Sequence, residues 1–402
     1  MLFSLKVPYY KGMARVMKIA AAIVPMPKPT LFTGKDSSLE LCLAISQLGY
    51  KKLLIVTDEV LVKIGLLDNI KDRLDELKVD YVIYDGILPD PTYDQVYTGV
   101  DILRNNHCDA ILAVGGGSPI DASKAIAAQA TNNKPLEKLA GLFKLRKAPI
   151  PFFAIPTTAG TGSEVTIASV VSDPITHQKT FIIDPKLIPV MAALDGGMML
   201  GLPPSVTAAT GMDALTHAIE SYISVNATQE TDAFGLAATR LIMENLETAF
   251  KDGKNFEARQ NMAMASYYAG SAFTKASVGY VHAIAHNFGA YYSTPHGLAN
   301  SIVLPHILDY SKGSITNRLA QLAEVSGLRK GNETNAQLAD KFIAKIRSML
   351  KTFNIPAQLD ALKPDDIPKI AKSALEEAHN NYPVPKYMNQ KVCESLLIKM
   401  VA

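Results

Sequence analysis

Five of the eight histidines fall between His217 and His306, and three of them sit in patterns able to hold one metal ion together with Asp213. The stretch Gly211-Met212-Asp213-Ala214-Leu215-Thr216-His217 places a carboxylate and an imidazole four residues apart. His282 and His286 repeat that spacing, and Pro295-His296-Gly297 follows. Residues four apart on a helix share one face, separated by about one turn. A carboxylate with neutral imidazoles suits Fe(II), Zn(II) or a similar divalent ion. Asp213, His217, His282 and His296 are therefore four candidate ligands, and His286 is a fifth. Taken singly, each is an ordinary core or surface residue; the joint pattern carries the argument. Val281, Ala283, Ile284 and Ala285 surround His282 with apolar groups, and a ring buried in such company needs a partner. Pro295 and Gly297 place His296 on a loop. His306 reads as structural, and His107, His177 and His379 as incidental.

A second chemistry lies in the first half. Gly115-Gly116-Gly117-Ser118-Pro119 stands where a strand gives way to a helix. Glycines let the backbone approach a bulky anion, and the N–H groups and dipole of the following helix favour a pyrophosphate. Pro119 suits the first helical turn. A bare glycine triplet is also a tight turn, and it is not the GxGxxG fingerprint. The loop Pro156-Thr157-Thr158-Ala159-Gly160-Thr161-Gly162-Ser163-Glu164 follows another strand and offers a hydroxyl-rich lining. Two such loops at strand ends point to a dinucleotide site. Asp58 ends an earlier strand, where an acid accepts from ribose hydroxyls and repels a 2′-phosphate, favouring NAD over NADP. Its plainer reading is a turn or helix-capping aspartate.

The elements that must position these residues divide at Leu202-Pro203-Pro204. Before it, strands are expected at 52–57, 80–84, 109–114 and 151–156, alternating with helical patterns at 61–77, 93–105 and 119–130. Such alternation implies a mostly parallel sheet with helices on both faces. After it the pattern is helical, at 212–224, 231–249, 256–273, 315–326, 335–353, 365–378 and 391–400. The reading is an α/β dinucleotide-binding domain over 1–204 and an all-α metal-binding domain over 205–402. A chain of 402 residues fits two domains.

Composition excludes other classes. The net charge of +2, without a dense Lys/Arg run, gives no electrostatic case for nucleic acid. Cys42, Cys108 and Cys393 are scattered and form no CxxC, which argues against a disulfide framework and fits the cytoplasm. Lys18 to Pro25 is apolar after several basic residues, but Pro25 and Pro27 cut it too short for a signal peptide. A short docking helix or a flexible arm is expected there. No stretch approaches the roughly 20 apolar residues of a membrane span, and no membrane partner is expected.

From about Thr30 to the C-terminus the chain resembles the iron-containing (group III) alcohol dehydrogenases, in the dehydroquinate synthase-like fold. The motifs are Gly115 to Asp121, Pro156 to Glu164, Gly211 to Glu220 and Gly279 to Gly297. The resemblance implies Asp213, His217, His282 and His296 as the four metal ligands, and His286 beside the metal and the nicotinamide. It implies dinucleotide contacts at Gly116, Gly117, Ser118, Thr157, Thr158, Thr161 and Lys179, with Asp121 in the same site. Asp58 matches the acid that disfavours NADP. The implied assembly is a cytoplasmic homodimer or larger homo-oligomer. Three positions depart from relatives: Asp90, where some have asparagine; Gly196 after Asp195, where proline is frequent; and Ala168, where some have asparagine.

The activity so implied is reversible hydride transfer between a primary alcohol or diol and NAD, with Fe(II) as the metal and zinc as its substitute. The metal acts as a Lewis acid on the alcohol, and His286 relays the proton. Two alternatives stand beside it within the superfamily, a zinc glycerol dehydrogenase and a dehydroquinate synthase-like lyase. A non-catalytic dinucleotide-binding protein is the alternative of another class.

Overall fold

The computed structural model describes residues 3–174 and 179–402, so His177 lies outside the described residues. The chain divides into two compact units.

One unit comprises residues 25–202 together with 253–267. Its strands are β1 (Thr30–Thr33), β2 (Lys52–Val56), β3 (Asp80–Tyr84), β4 (Ala110–Gly115), β5 (Gly141–Leu142), β6 (Phe152–Pro156), β7 (Ala168–Ser172), β8 (Lys179–Ile183) and β9 (Met191–Leu194). Six of them form a sheet in the order β1-β9-β6-β4-β2-β3, every pair parallel. Successive side chains point to opposite faces. Leu53, Ile55, Leu112, Val114, Phe153 and Ile155 enter one core, while Leu54, Val56, Ile111 and Phe152 enter another. Both faces are buried, which is why these strands read as continuous apolar runs. The sequence pattern leaves out a smaller sheet, β5-β8-β7, in which β7 and β8 are antiparallel. Its strands are short and carry serines, lysine and threonine among the apolar residues.

The other unit holds residues up to Val24, 203–252 and 268–402. Its helices include Phe3–Ile23, Pro204–Ile223, Gln229–Lys251, Tyr280–Tyr292, His296–Val325, Asn335–Thr352, Ile367–Asn381 and Gln390–Ile398. Among the described residues of this unit the single strand-like feature is the bridge Leu359–Val401.

The units differ from a division at 204 in two places. The N-terminal segment is a helix that belongs with the C-terminal unit: Tyr10 stacks on Tyr387 at 5.6 Å, and Lys18 Nζ donates to the Val225 carbonyl (3.2 Å). Residues 253–267 belong with the sheet. Gln260 accepts from Gly196 N–H (2.8 Å) and donates to Leu194 O (2.8 Å), Arg259 donates to Leu202 O (3.1 Å), and Ser266 Oγ accepts from Gly162 N–H (3.2 Å). These contacts also explain the departure at Gly196, because a Cβ there would lie 2.9 Å from the Gln260 backbone nitrogen.

Lys124 is fully buried in the sheet unit. Its Nζ donates to Thr166 O (3.0 Å), Thr166 Oγ1 (2.9 Å) and Ala168 O (2.7 Å). Burial pulls its pKa down to about 8, against Asp121 and Glu164, which raise it. Lys124→Met would leave two carbonyls unsatisfied beside buried acids. We expect a loss of roughly 3 kcal/mol or more in denaturant unfolding; an unchanged midpoint would show that Lys124 is dispensable.

Candidate functional site

Asp213, His217 and Glu220 occupy positions i, i+4 and i+7 of the buried helix Pro204–Ile223, so they share one face. His282 and His286 are one turn apart on Tyr280–Tyr292. His296 is the first residue of the helix His296–Val325, not part of a loop, with Pro295 as its cap. The loop expectation misread a proline that pre-sets the chain for helix entry. Gly297 is needed for this placement, because a Cβ there would collide with the Ala209 carbonyl of the first helix.

The four side chains Asp213, His217, His282 and His296 converge. One donor atom from each lies within 4.8 Å of all the others, and all but His296 are buried. His282 Nε2 is 2.9 Å from His217 Nε2, 3.9 Å from Asp213 Oδ1, and His296 Nε2 is 3.6 Å from the same oxygen. Burial, then the imidazoles of His217, His296 and His286, push the His282 pKa well below its ordinary range. The ring is thus neutral, the form in which imidazole is a ligand. Phe273 stacks on His217 at 4.3 Å, closing one side of that ring.

Three residues absent from the sequence expectations support the site: Glu220 and Asn300 hold members of the four, and Glu377 holds His286. Glu220 Oε2 accepts from His282 Nδ1–H (2.6 Å), and its carboxylate also accepts from the N–H groups of Gly279 (2.9 Å) and Val281 (2.8 Å). It therefore fixes the His282 tautomer and caps that helix at once. Burial pushes the Glu220 pKa up to about 7, opposed by those backbone bonds. Asn300, one turn after His296, donates to Asp213 Oδ1 (2.7 Å) and lies 3.2 Å from His282 Nε2 and 3.1 Å from His296 Nε2. Its amide holds three of the candidate donors facing one point. Glu377 accepts from His286 Nδ1–H (2.7 Å) and from the Tyr382 hydroxyl (2.6 Å). The i+7 and i+4 spacings of Glu220 and Asn300 are visible in sequence, whereas Glu377 is 91 residues from His286 and has no local signal.

The donor set fits a divalent ion. With Nδ1–H of His282 given to Glu220, its Nε2 is a lone pair aimed at a second imidazole nitrogen beside a carboxylate. A cation satisfies such an arrangement better than a proton shared among three rings.

In the sheet unit, β4 ends at Gly115 and the helix Gly117–Asn132 begins two residues later, without an acid in its first turn. The two loops face each other closely. A Cβ on Gly116 would lie 3.2 Å from Thr158 Oγ1, and one on Gly117 would lie 2.8 Å from Thr161 Cγ2. Gly116 and Gly117 are thereby set against Thr158 and Thr161, Thr157 N–H donates to Gly115 O (3.0 Å), and Ser118 follows in the first turn of the helix. Glycine backbone and threonine hydroxyls there form a cradle that side chains would fill, which fits a pyrophosphate. Asp121 is engaged by the protein on both oxygens: Ser163 Oγ bonds one, and Val170 N–H donates to the other (3.0 Å). It ties the first loop to the second and to β7. Lys179 pairs with Asp90 (2.9 Å), so the departure at Asp90 supplies a partner for a residue expected at the cofactor. Ala168 O accepts from Lys124 through its backbone, a role any residue serves. Asp58 caps the short helix Glu59–Lys63, accepting from Leu61 N–H (3.0 Å). The capping reading therefore holds, and it occupies one carboxylate oxygen.

Comparison with known proteins covers nearly the whole chain. Residues 28–196 match the family profile "Iron-containing alcohol dehydrogenase", and residues 207–401 match "Fe-containing alcohol dehydrogenase family, C-terminal". The NAD-dependent methanol dehydrogenase of Bacillus methanolicus is 38% identical, over 87% of this chain and 92% of its own length. The 1,3-propanediol dehydrogenase of Citrobacter freundii is 41% identical, over 86% of this chain and 90% of its own. The crystal structure of a 1,3-propanediol oxidoreductase aligns with a TM-score of 0.91 at 37% identity, covering 94% of this chain and 100% of that one.

Proposed function

Because this chain belongs to the iron-containing alcohol dehydrogenase family, we propose that it is a metal-dependent dehydrogenase that interconverts a short primary alcohol or diol and its aldehyde with NAD. The observation that carries the reading is the convergence of Asp213, His217, His282 and His296 within 4.8 Å. Family membership sets aside the lyase, and an intact donor set argues against a non-catalytic protein.

Asp213, His217, His282 and His296 would hold the ion, iron by family and zinc as its substitute. When bound, the ion supplies Lewis acidity that favours the ionised alcohol, and NAD supplies the hydride acceptor. The protein's own part is positioning. Glu220 keeps His282 in the tautomer with Nδ1 protonated, Asn300 orients Asp213, and Phe273 shields the His217 ring. Glu377 likewise sets Nδ1 of His286 as the donor, leaving Nε2 as the site where a proton from the alcohol is taken up. Gly116, Gly117 and Ser118 present backbone to the pyrophosphate, Thr157, Thr158 and Thr161 line the facing loop, and Lys179 adds a cation. Asp121 positions the loops.

Asp58 sets cofactor preference through its charge. Asp58→Asn keeps a capping oxygen and removes the anion that repels a 2′-phosphate. We expect the NADP/NAD ratio of kcat/KM to rise about tenfold or more, since one charge contact is worth about 1–2 kcal/mol at partly buried range; an unchanged ratio assigns Asp58 to capping alone.

The cytoplasm is the compartment proposed, supported by three buried cysteines, all free. The homodimer or larger homo-oligomer implied by family resemblance belongs to the same reading, and sedimentation velocity measures it. The test of function is NADH formation by the Fe(II)-loaded protein on methanol, ethanol, 1-propanol and 1,3-propanediol. The reading expects turnover on at least one of them that chelation abolishes; equal rates before and after chelation would refute it.

A further inference from the structure

The N-terminal helix Phe3–Ile23 packs one face on its own unit and leaves another open. Tyr10 lies against His379 at 4.7 Å and Tyr387 at 5.6 Å, and Ala14 is buried. Leu5, Tyr9, Val16 and Ile19 are each 60% exposed or more, and Met13 is 39% exposed. Their spacings of four, four, three and three residues place all five on one stripe. Fifteen large apolar side chains are exposed among the described residues, so one helix of 21 residues carries a third of them. At 100° per residue, Lys6 falls on one flank of the stripe and Arg15 on the other, while Lys11 and Lys18 turn away from it and Lys18 donates to the protein's own Val225 O. Asp36 is the first acid in the chain.

We propose that this helix docks the protein on the surface of an anionic phospholipid bilayer, lying along it rather than through it. Leu5, Tyr9, Met13, Val16 and Ile19 enter the headgroup–acyl boundary, and the flanking cations meet the phosphates with their stems along the apolar edge. Two features choose lipid over a second copy of the chain. Pairing two of these stripes brings Lys6 and Arg15 of each helix together with no acid on either to offset them. A flat anionic surface complements the same charges. No helix among the described residues is long and apolar enough to cross a membrane, which is a separate matter from lying on one. The expectation of no membrane partner rested on hydropathy, which tests for a span alone.

The experiment is co-sedimentation of the full chain with phosphatidylcholine vesicles and with vesicles that also contain phosphatidylglycerol. Binding is expected to the mixed vesicles, to weaken about tenfold or more on neutral vesicles, and to fall at high salt as screening shortens. The doubly substituted Leu5→Glu, Val16→Glu protein should lose binding about tenfold or more, with alcohol oxidation unchanged because neither residue belongs to the metal or cofactor site. Charge reversal at Lys6 and Arg15 should weaken binding to anionic vesicles alone. Failure of the wild-type protein to sediment with anionic vesicles overturns the proposal, as does equal binding by the doubly substituted chain. So does a larger species without vesicles that Val16→Glu dissociates, since a second copy would then cover the stripe.

Discussion

His282→Ala is expected to purify without bound metal and to lose alcohol-dependent NADH formation while still binding NAD. His282 is the ring through which most of the centre is connected. Its Nε2 lies 2.9 Å from His217 and 3.2 Å from Asn300, and its Nδ1 is held by Glu220. Alanine removes one of four donors and leaves a buried space that does not rebuild the geometry. Mutations outside the ligand sphere already cost about 10–100-fold in metal affinity, so loss of a ligand should exceed about 100-fold. The dinucleotide loops lie in the other unit, so NAD binding by fluorescence titration separates loss of the centre from loss of the fold. Metal content and turnover equal to the wild type would remove His282 from the ligand set.

Glu220→Gln should lower metal affinity by about 10–100-fold and leave kcat at saturating metal within a few-fold of the wild type. Glutamine has the same size and one acceptor oxygen. Its amino group, though, must face either His282 Nδ1–H or a backbone N–H, so one donor meets another. The His282 tautomer is no longer fixed, and the ring presents Nε2–H part of the time. A purely structural role predicts something else: a lower melting temperature with unchanged metal affinity, because the N–H groups of Gly279 and Val281 lose a carboxylate. Metal titration and thermal unfolding of the same variant distinguish the two. Raising Fe(II) should restore turnover, and failure of that rescue would place Glu220 in the chemical step.

The ease with which this centre is read from sequence has a physical basis. Asp213 with His217, and His282 with His286, are periodic on helices, and periodicity survives in one dimension. The partners that orient the ligands are harder, because Glu220 meets His282 across 62 residues and Glu377 meets His286 across 91. His296 was expected on a loop because Pro295 and Gly297 resemble turn residues, yet one caps a helix and the other admits a neighbouring backbone. Pro305 similarly hides the first half of the helix His296–Val325, whose backbone departs from helical angles at Ile315. The buried parallel strands announce themselves as apolar runs. The β5-β8-β7 sheet does not, since its strands at 168–172 and 179–183 are short and mix polar with apolar residues. Nothing in the helix Phe256–Ala276 marks the point where it passes from one unit to the other, because both ends bury small and apolar residues alike.

The central claim is tested most directly by elemental analysis of the full chain purified without oxygen, with NADH formation measured on the same sample before chelation, after it, and after Fe(II) or Zn(II) is returned. The account predicts about one divalent ion per chain, turnover lost with the ion and regained with it. Protein that carries no ion, gains none on titration and turns over alcohol at the same rate throughout would contradict it.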